Sequence, residues 1–336
     1  MPRFVEVKRP RRLTIQTRDG WRLAVYRYWK GEGTSGWGPV VLCHGLGANR
    51  YDLDAPDHEI SVARYLHGRG HDVWVVELRG AGRSRPPGWP LRRRRPFDFD
   101  EYVHRDVPAI LRHVLDATGG AALHWVGHSM GGMLAYAALE HFDNRLFRSV
   151  TTIGSPAFTA VKHPMVDKLY HLRFMLELVR WVPMRRLGLL GALFPGITIY
   201  TVGRLLANTE HMEPRHVRKL ARLALYDLPA PLLRQFAEWY GGPAGFSRAD
   251  RLLGYYEHLD RVEAPMLIIA GAGDVLTPVE DLAAVYEAIS SPDKTLLVCG
   301  ADQGFSLDYG HIDLVLGVRA RDEVYPHIAR WIESHR

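Results

Sequence analysis

The segment that most constrains the fold of this chain is Gly-His-Ser-Met-Gly at residues 127–131. The largely apolar run before it, 121–126, is typical of a buried strand, and the small residues of 132–142 recur at helical spacing. Glycines on both sides of the serine let the backbone turn sharply between strand and helix, which lifts the hydroxyl out of the sheet. The sequence therefore predicts that Ser129 lies at a strand–helix junction and is a candidate nucleophile.

Two residues further along the chain have the properties that a serine nucleophile needs in its partners. A serine hydroxyl is reactive at neutral pH only beside a general base, and a carboxylate must orient that base. Asp274 follows the apolar run 265–270, and His311 comes after another apolar run, 295–298. Both are expected at the carboxyl ends of strands, where open α/β sheets bind their ligands. We predict a triad in which Ser129 attacks, the histidine accepts its proton and the aspartate orients the histidine.

Two other carboxylates compete with Asp274 for the orienting role. Asp302 lies in the loop after the last predicted strand, where an aspartate commonly caps a turn. Asp313 lies two residues beyond His311, too near in sequence to meet the imidazole of its own loop in the required geometry. We expect Asp302 to cap a turn and Asp313 to brace the histidine loop.

A site for a developing oxyanion is predicted beside the nucleophile. A short apolar strand pattern is followed by His-Gly-Leu-Gly at residues 44–47. When a nucleophilic serine lies on this kind of turn, one oxyanion donor is the next backbone amide and another comes from an upstream loop. These amides are expected to be those of Met130 and Leu46. Two histidines that flank these loops, His44 and His128, are expected to be structural or to line the pocket.

These motifs resemble those of the α/β-hydrolase superfamily over residues 12–157 and 260–336. The matching segments are 44–47, 77–84, 127–132, 273–274 and 310–311. The resemblance implies an α/β fold with a mostly parallel central sheet flanked by helices. The wording around His311 is similar to the lipase and polyhydroxyalkanoate-synthase branches, in which a comparable segment carries the base. The synthases use a cysteine nucleophile, so Ser129 favours hydrolysis over polymer synthesis.

The function predicted from these residues is hydrolysis of carboxylic esters, most simply those with apolar acyl chains, through an acyl-enzyme intermediate. The mechanism needs no metal and no cofactor. Acyltransferase, thioesterase, lactonase and peptidase activities use the same triad and stay open, because a fold does not determine a substrate. A lipid-binding scaffold with a vestigial site is a further alternative, although the complete set of site elements argues against it. Related dehalogenases and epoxide hydrolases are disfavoured because they have aspartate at the nucleophile position.

The pattern of strands and helices divides the chain into a core and an insert. Strand and helix patterns alternate through residues 1–156 and 257–336, which predicts the α/β-hydrolase core. Pro108 falls inside one helical pattern and is expected to bend it. Residues 157–256 show no strand pattern and have helical patterns interrupted by prolines. They are predicted to form a helical cap, or lid, above the active site.

The insert also carries the net charge of the protein. The whole chain has a formal charge of +6, and residues 161–250 account for all of it with 13 Lys/Arg against 7 Asp/Glu. No nucleic-acid-binding motif accompanies these bases, which excludes a nucleic-acid partner. The basic insert and the arginine run 92–95 suit contact with an anionic lipid surface or acidic substrate, or are solvated faces. The aromatic residues of the insert either line an acyl pocket or form its core: Phe174, Trp181 and Phe194.

Cysteine usage and hydropathy predict the compartment. Cys43 and Cys299 fall at the ends of two apolar strand patterns and are expected to be buried, reduced core residues. The first residues lack the apolar segment of a secretory signal, and no run of 18 uncharged apolar residues is present. We expect a cytoplasmic protein without a transmembrane helix.

Overall fold

The computed structural model describes residues 9–29, 31, 36–90, 95–157, 171, 173–194, 196, 206–241 and 254–336. Of the arginine run, residues 92–94 lie outside the described residues, as do parts of the predicted cap. The described strands are β1 Arg11–Gln16, β2 Arg22–Tyr28, β3 Pro39–Cys43, β4 Asp72–Glu77, β5 Leu123–His128, β6 Phe147–Ile153, β7 Trp181–Val182, β8 Leu228–Pro229, β9 Met266–Gly271 and β10 Lys294–Cys299.

Eight of these strands form one sheet in the order β1-β2-β4-β3-β5-β6-β9-β10. Strand β2 runs antiparallel to β1 and β4, and all other neighbours are parallel. Every residue of β3, β4, β5 and β9 is buried, as expected for strands covered on both faces. The mostly parallel sheet predicted from the sequence is confirmed.

Helices cover both faces of the sheet. They are α1 Val62–Gly68, α2 Phe99–Glu101, α3 Val107–Thr118, α4 Met130–His141, α5 Met184–Gly191, α6 Pro214–Leu223, α7 Ala230–Gly241, α8 Val279–Ala288, α9 Asp313–Leu316, α10 Ala320–Glu323 and α11 Tyr325–Ser334. One apolar cluster joins the sheet to α3, α4 and α8, and a second joins it to α1 and α11. Because helices cover both faces, the loops that follow the parallel strands meet at the carboxyl edge of the sheet.

The helix around Pro108 contains a local irregularity. A π-helical turn, Tyr102–Asp106, precedes α3, so the proline lies at the second position of that helix. The Val107 amide donates to the Tyr102 carbonyl, the i→i−5 bond of the π-helical turn, so the helix continues through this position. Helical structure thus runs without a break from Phe99 to Thr118, with a change of helix type just before the proline, which has no amide hydrogen to donate.

The described part of the insert contains three helices and one feature that sequence reasoning missed. Strands β7 and β8 pair antiparallel as a two-stranded ribbon, each only two residues long. Phe174 and Phe194 have 60% and 62% of their surface exposed, so neither belongs to a core of the insert. Trp181 is half-buried, with its ring 6.0 Å from that of Phe97.

Two expectations about single residues and hydropathy can be compared directly with the structure. Cys43 and Cys299 are buried and unpaired, as predicted. None of the helices in the part of the chain that the structure describes is long and apolar enough to cross a membrane.

Candidate active site

Ser129 occupies a sharp turn between β5 and α4. Its backbone has φ +51° and ψ −121°, a region that residues with a side chain rarely adopt. The Ser129 amide donates to the carbonyl of Ile153 at 2.8 Å, and the Ser129 carbonyl accepts from the amides of Gly132 and Met133. The serine is half-buried, whereas the residues on either side of it are buried. The turn therefore places the Ser129 side chain, partly exposed, at the carboxyl end of β5.

The two outer glycines of the turn are required by close backbone packing. A methyl group built at Gly131 would overlap the carbonyl oxygen of Cys43, at the end of β3. One built at Gly127 would overlap the backbone of Gly131 itself. These positions accept no side chain because the first turn of α4 lies directly against two strands.

His311 and Asp274 form a buried pair at the same edge of the sheet. The imidazole Nδ1 lies 2.8 Å from the carboxylate Oδ2, and the two residues are 6% and 4% exposed. The other carboxylate oxygen accepts from the amides of Leu276 at 2.9 Å and Thr277 at 3.0 Å, and the Thr277 hydroxyl donates to Oδ2. Since Nδ1–H donates to the carboxylate, Nε2 of the same ring is available to accept a proton.

The surroundings of Asp274 keep it ionised. Burial alone raises the pKa of this carboxyl. The charge and hydrogen bond of His311, followed by the hydrogen bonds from Thr277, outweigh burial and hold the pKa of Asp274 below its ordinary value. The aspartate is thus a fixed negative charge against the histidine ring.

Gly154, the residue after β6, packs directly against both His311 and Asp274. A methyl group built there would be 3.1 Å from His311 Nδ1 and 3.3 Å from Asp274 Oδ2. The ring of His311 packs 5.0 Å from that of His128, the residue before Ser129. The structure thus brings the predicted residues to one edge and joins the histidine to the aspartate. Within the described residues, the Ser129 hydroxyl makes no hydrogen bond.

The predicted oxyanion donors also lie at this edge. Leu46 follows β3 in a turn, and a methyl group built at its neighbour Gly45 would be 3.1 Å from Ser129 Cβ. The Gly45 amide donates to Asp52 Oδ2 at 2.8 Å, which leaves the Leu46 amide as the next donor of this loop. Met130 is the first residue of α4, where an amide has no intrahelical acceptor. Neither amide has an acceptor among the described residues.

Comparison with known families agrees with this architecture. Residues 38–312 match the sequence profile of the α/β hydrolase fold. The chain belongs to the α/β-hydrolase family.

Individual relatives of this α/β-hydrolase are lipases, a polymerase subunit and esterases. Mouse lipase member K is 24% identical over an alignment that covers 95% of this chain and 87% of that protein. The poly(3-hydroxyalkanoate) polymerase subunit of Haloarcula marismortui is 24% identical over 87% of this chain and 60% of its own. Solved structures with the same fold include a Thermogutta terrifontis esterase, with TM-score 0.64, 20% identity and coverage of 97% and 100%. The Paleococcus ferrophilus monoacylglycerol lipase has TM-score 0.61, 20% identity and coverage of 94% and 99%.

The two rival carboxylates have other surroundings. Asp302 is exposed in the 3₁₀ turn Ala301–Gln303, and the residue that caps this turn is Gly300, so its predicted capping role is wrong. Asp313 is fully buried, and its Oδ1 accepts at 3.0 Å from the amide that precedes His311. The predicted bracing of the histidine loop by Asp313 is confirmed.

The same carboxylate joins the histidine loop to the insert, which sequence reasoning missed. Asp313 Oδ2 lies 2.8 Å from Nδ1 of His211, and Oδ1 accepts from the amide of Asn208 at 3.0 Å. The amide of Ile312 donates to the carbonyl of Leu206 at 2.8 Å. No local pattern marks these contacts, because the partners are about a hundred residues apart in sequence.

Both flanking histidines are buried and hydrogen-bonded, which agrees with the structural role expected of them. His44 Nε2 accepts from the amide of Leu78 at 3.2 Å, and its Nδ1 lies 2.9 Å from the carbonyl of Gly45. His128 contacts the side chain of Asp52 and the backbone of the histidine loop. In the described residues, no group of three or more His, Cys, Asp or Glu side chains is arranged to hold a metal ion.

Proposed function

We propose that this α/β-hydrolase is a serine hydrolase of carboxylic esters and that Ser129, His311 and Asp274 are its catalytic triad. The proposal depends on one observation above all, the buried hydrogen bond between His311 and Asp274 at the sheet edge that carries the Ser129 turn. Ester hydrolysis as the reaction class is supported by the relatives, which are named as lipases and esterases.

The proposed reaction begins when the Ser129 oxygen attacks the ester carbonyl and its proton passes to His311 Nε2. The ionised Asp274 fixes the imidazole tautomer and stabilises the imidazolium that forms. In free enzymes the hydrogen bond between hydroxyl and imidazole is often long or unmade, and it tightens when substrate binds. A Ser129 hydroxyl that makes no hydrogen bond with the described residues is compatible with this behaviour.

The negative oxygen of the tetrahedral intermediate would be held by the amides of Leu46 and Met130. Loss of one such donor costs about 3–4 kcal/mol of transition-state stabilisation. As the intermediate collapses, the imidazolium of His311 protonates the departing alcohol, and the acyl group stays on Ser129. Water then attacks the acyl-enzyme, gives its proton to the same imidazole and releases the carboxylic acid.

Transfer of the acyl group to an alcohol, amine or thiol is the second candidate function, and thioester or lactone substrates use the same steps. Similarity to a protein named as a polyhydroxyalkanoate polymerase subunit supports acyl transfer. Analysis of products formed in the presence of competing alcohols distinguishes transfer from hydrolysis. An excess of free acid over new ester supports the hydrolase.

We further propose that residues 157–256 form a cap over the site. The support is contact between the insert and a loop that carries a candidate group. The Tyr226 amide donates to the Gly47 carbonyl at 3.0 Å, next to Leu46. A cap with apolar side chains suits an apolar acyl chain as substrate.

The outer surface of this cap is proposed to contact an anionic lipid surface. Large apolar side chains are exposed on it, including Leu187, Leu190, Leu193 and Phe194. Arg185 and Arg186 are exposed on α5, which also carries Leu187 and Leu190. Apolar groups that enter the lipid boundary and cations that attract anionic headgroups are the two components of interfacial binding.

Replacement of Ser129 tests the triad. We expect Ser129→Ala to reduce turnover of a p-nitrophenyl ester roughly 10⁶-fold, because the acyl acceptor is lost. A fluorophosphonate probe should label the wild-type protein at Ser129 and leave the variant unlabelled. Ser290→Ala is the matched control, since it removes an exposed hydroxyl between α8 and β10. Wild-type turnover by Ser129→Ala would refute the mechanism, and a folded wild type that resists the probe would favour the scaffold alternative.

A further inference from the structure

Both ring nitrogens of His128 face hydrogen-bond acceptors. Nδ1 lies 2.9 Å from Oδ2 of Asp52, and Nε2 lies 3.1 Å from the carbonyl oxygen of His311. The ring belongs to the last residue of β5 and is 3% exposed. A neutral imidazole has one donor and one acceptor nitrogen, so it satisfies only one of these contacts. Both are made only when the ring carries two protons.

The neighbouring His44 shows the opposite arrangement. Its Nε2 accepts from the amide of Leu78, and its Nδ1 donates to the carbonyl of Gly45. One donor and one acceptor are what a neutral imidazole provides. Burial accordingly holds the pKa of His44 below its ordinary value. Two buried histidines beside the same site therefore require different protonation states.

The charged groups that face His128 agree with a protonated ring. Burial lowers the pKa of His128, but the charge and hydrogen bond of Asp52, then the His311 carbonyl and the charge of Asp274, outweigh it and raise that pKa. Burial raises the pKa of Asp52, and the charge and hydrogen bond of His128, with the Gly45 amide, reverse this and lower it. Both directions favour an imidazolium beside a carboxylate. His44, also facing it, stays neutral.

This ion pair connects the two loops that serve the nucleophile. Asp52 Oδ2 accepts from the amide of Gly45, the residue before the candidate oxyanion donor Leu46. His128 holds the backbone carbonyl of the candidate base, His311. Since His128 directly precedes Ser129 in sequence, the buried pair of His128 and Asp52 connects the oxyanion loop, the His311 loop and the turn of the nucleophile.

We propose that His128 is a protonated positioning residue which, together with Asp52, fixes the oxyanion loop and the loop of His311 relative to Ser129. This inference rests on the proposed function and extends it to the pH dependence of the same site. When pH rises through the pKa of His128, the ring loses a proton and one of its two hydrogen bonds. The loops then move apart, and turnover decreases although His311 remains a competent base.

The protonation state can be measured without any substrate. In protein labelled with ¹⁵N-histidine, the ring-nitrogen shifts separate protonated from unprotonated nitrogens, and His128→Gln assigns the signal. We expect two protonated nitrogens for His128 at neutral pH and loss of one at alkaline pH. A single protonated nitrogen at neutral pH would overturn the inference. This result is independent of ester turnover, so it separates failure of the inference from failure of the proposed function.

Kinetics test the positioning role. We expect Asp52→Asn and His128→Gln to lower kcat for a small soluble ester about 10- to 100-fold while KM changes little. The alkaline decrease in kcat should move to lower pH in Asp52→Asn, because the stabilising carboxylate is gone, and should disappear in His128→Gln. A merely structural role would change the melting temperature and leave the pH profile as in wild type, which would also overturn the inference.

His124→Gln is the matched control for these variants. His124 is a fully buried histidine at the other end of the same strand, β5, where it contacts Ser149 and the backbone of Trp37. Its replacement alters these two hydrogen bonds without touching the candidate site. The control should keep the wild-type pH profile of kcat, whatever its effect on stability.

Discussion

Ser129 adopts its left-handed backbone against the preference of a residue with a Cβ, at a cost on the order of 1–3 kcal/mol. The neighbouring packing compensates for this cost, because the Ser129 amide and carbonyl are both hydrogen-bonded and the flanking glycines let α4 approach β3. Residues in such conformations persist only where the surroundings determine them and where the side-chain position matters. The same reasoning identifies which single changes should damage the site.

Replacement of Asp274 by asparagine should reduce kcat by about 10⁴-fold while the fold is retained. Asparagine keeps the size of the side chain, but it cannot stabilise an imidazolium and it favours the wrong tautomer of His311. Asp302→Asn, which alters the exposed rival carboxylate, should leave kcat unchanged. Steady-state turnover of both variants, with circular dichroism to confirm folding, measures the difference. Equal loss in the two variants would contradict the assignment.

Replacement of Gly131 by alanine should destabilise the protein by about 3 kcal/mol, since the new methyl group overlaps the carbonyl of Cys43 and one backbone must shift. Gly68→Ala is the control: the methyl group there meets no atom within 4 Å, at the end of α1. It should stabilise by about 0.4–1 kcal/mol by restricting the unfolded chain. Urea unfolding of both variants tests the contrast, and a Gly131→Ala protein as stable as wild type would disprove the packing argument.

The sequence predicts the candidate triad because its residues follow strand patterns, and parallel strands bring their carboxyl ends together. Asp274 and His311 are 37 residues apart, yet the strand order alone places them at one edge. The partners of His128 and Asp313 could not be found this way. Asp52 and His211 lie in single 3₁₀ turns of three residues, too short to leave a periodic pattern, and their positions depend on long-range packing.

At the level of elements, the start of α2 carries a capping carboxyl whose pKa depends on burial that the local sequence does not show. Asp98 caps the helix and forms a capping box with Glu101. Burial raises the pKa of Asp98 to about 7, with further contributions from the hydrogen bond and charge of Glu101 and the charge of Asp100. Periodicity does not show that this capping carboxyl is half-buried.

Asp98 therefore makes stability depend on pH. Its pKa is about 7 in the folded protein against 3.8 ordinarily, so the folded state binds more protons between these values. Stability should fall as pH rises from about 4 to 7. Asp98→Asn keeps the cap without the charge, and it should be more stable than wild type at pH 8 by about 1–2 kcal/mol, after allowance for solvent screening.

Urea unfolding at pH 5 and pH 8 tests this expectation, with Asp116→Asn as the control. Asp116 is an exposed carboxylate on α3, so its replacement should not alter the pH dependence. A wild-type protein whose stability rises from pH 5 to pH 8, or an Asp98→Asn variant with the wild-type slope, would contradict the role assigned to this cap.

In the molecule as a whole, the core was more predictable than the insert. Long strands with continuous apolar composition report their own burial, so the sheet follows from the sequence. The ribbon of β7 and β8 has two residues in each strand and leaves no periodic signal. The insert also contacts the core between segments distant in sequence, as in the hydrogen bond from the Ile312 amide to the Leu206 carbonyl. Only tertiary structure reveals such contacts.

The location of charge leads to a prediction for the whole protein. The excess of six positive charges lies within residues 161–250, the segment that also contains the exposed apolar side chains of α5 and the residues after it. We expect the protein to sediment with phosphatidylcholine vesicles that contain phosphatidylglycerol, less with phosphatidylcholine alone, and less as NaCl screens the attraction. The double variant Arg185→Glu, Arg186→Glu should weaken binding by about 10-fold or more. The same change at Arg11 and Arg12, on β1, should have little effect. Equal loss of binding in both double variants would mean that net charge, and not the insert, causes the attraction.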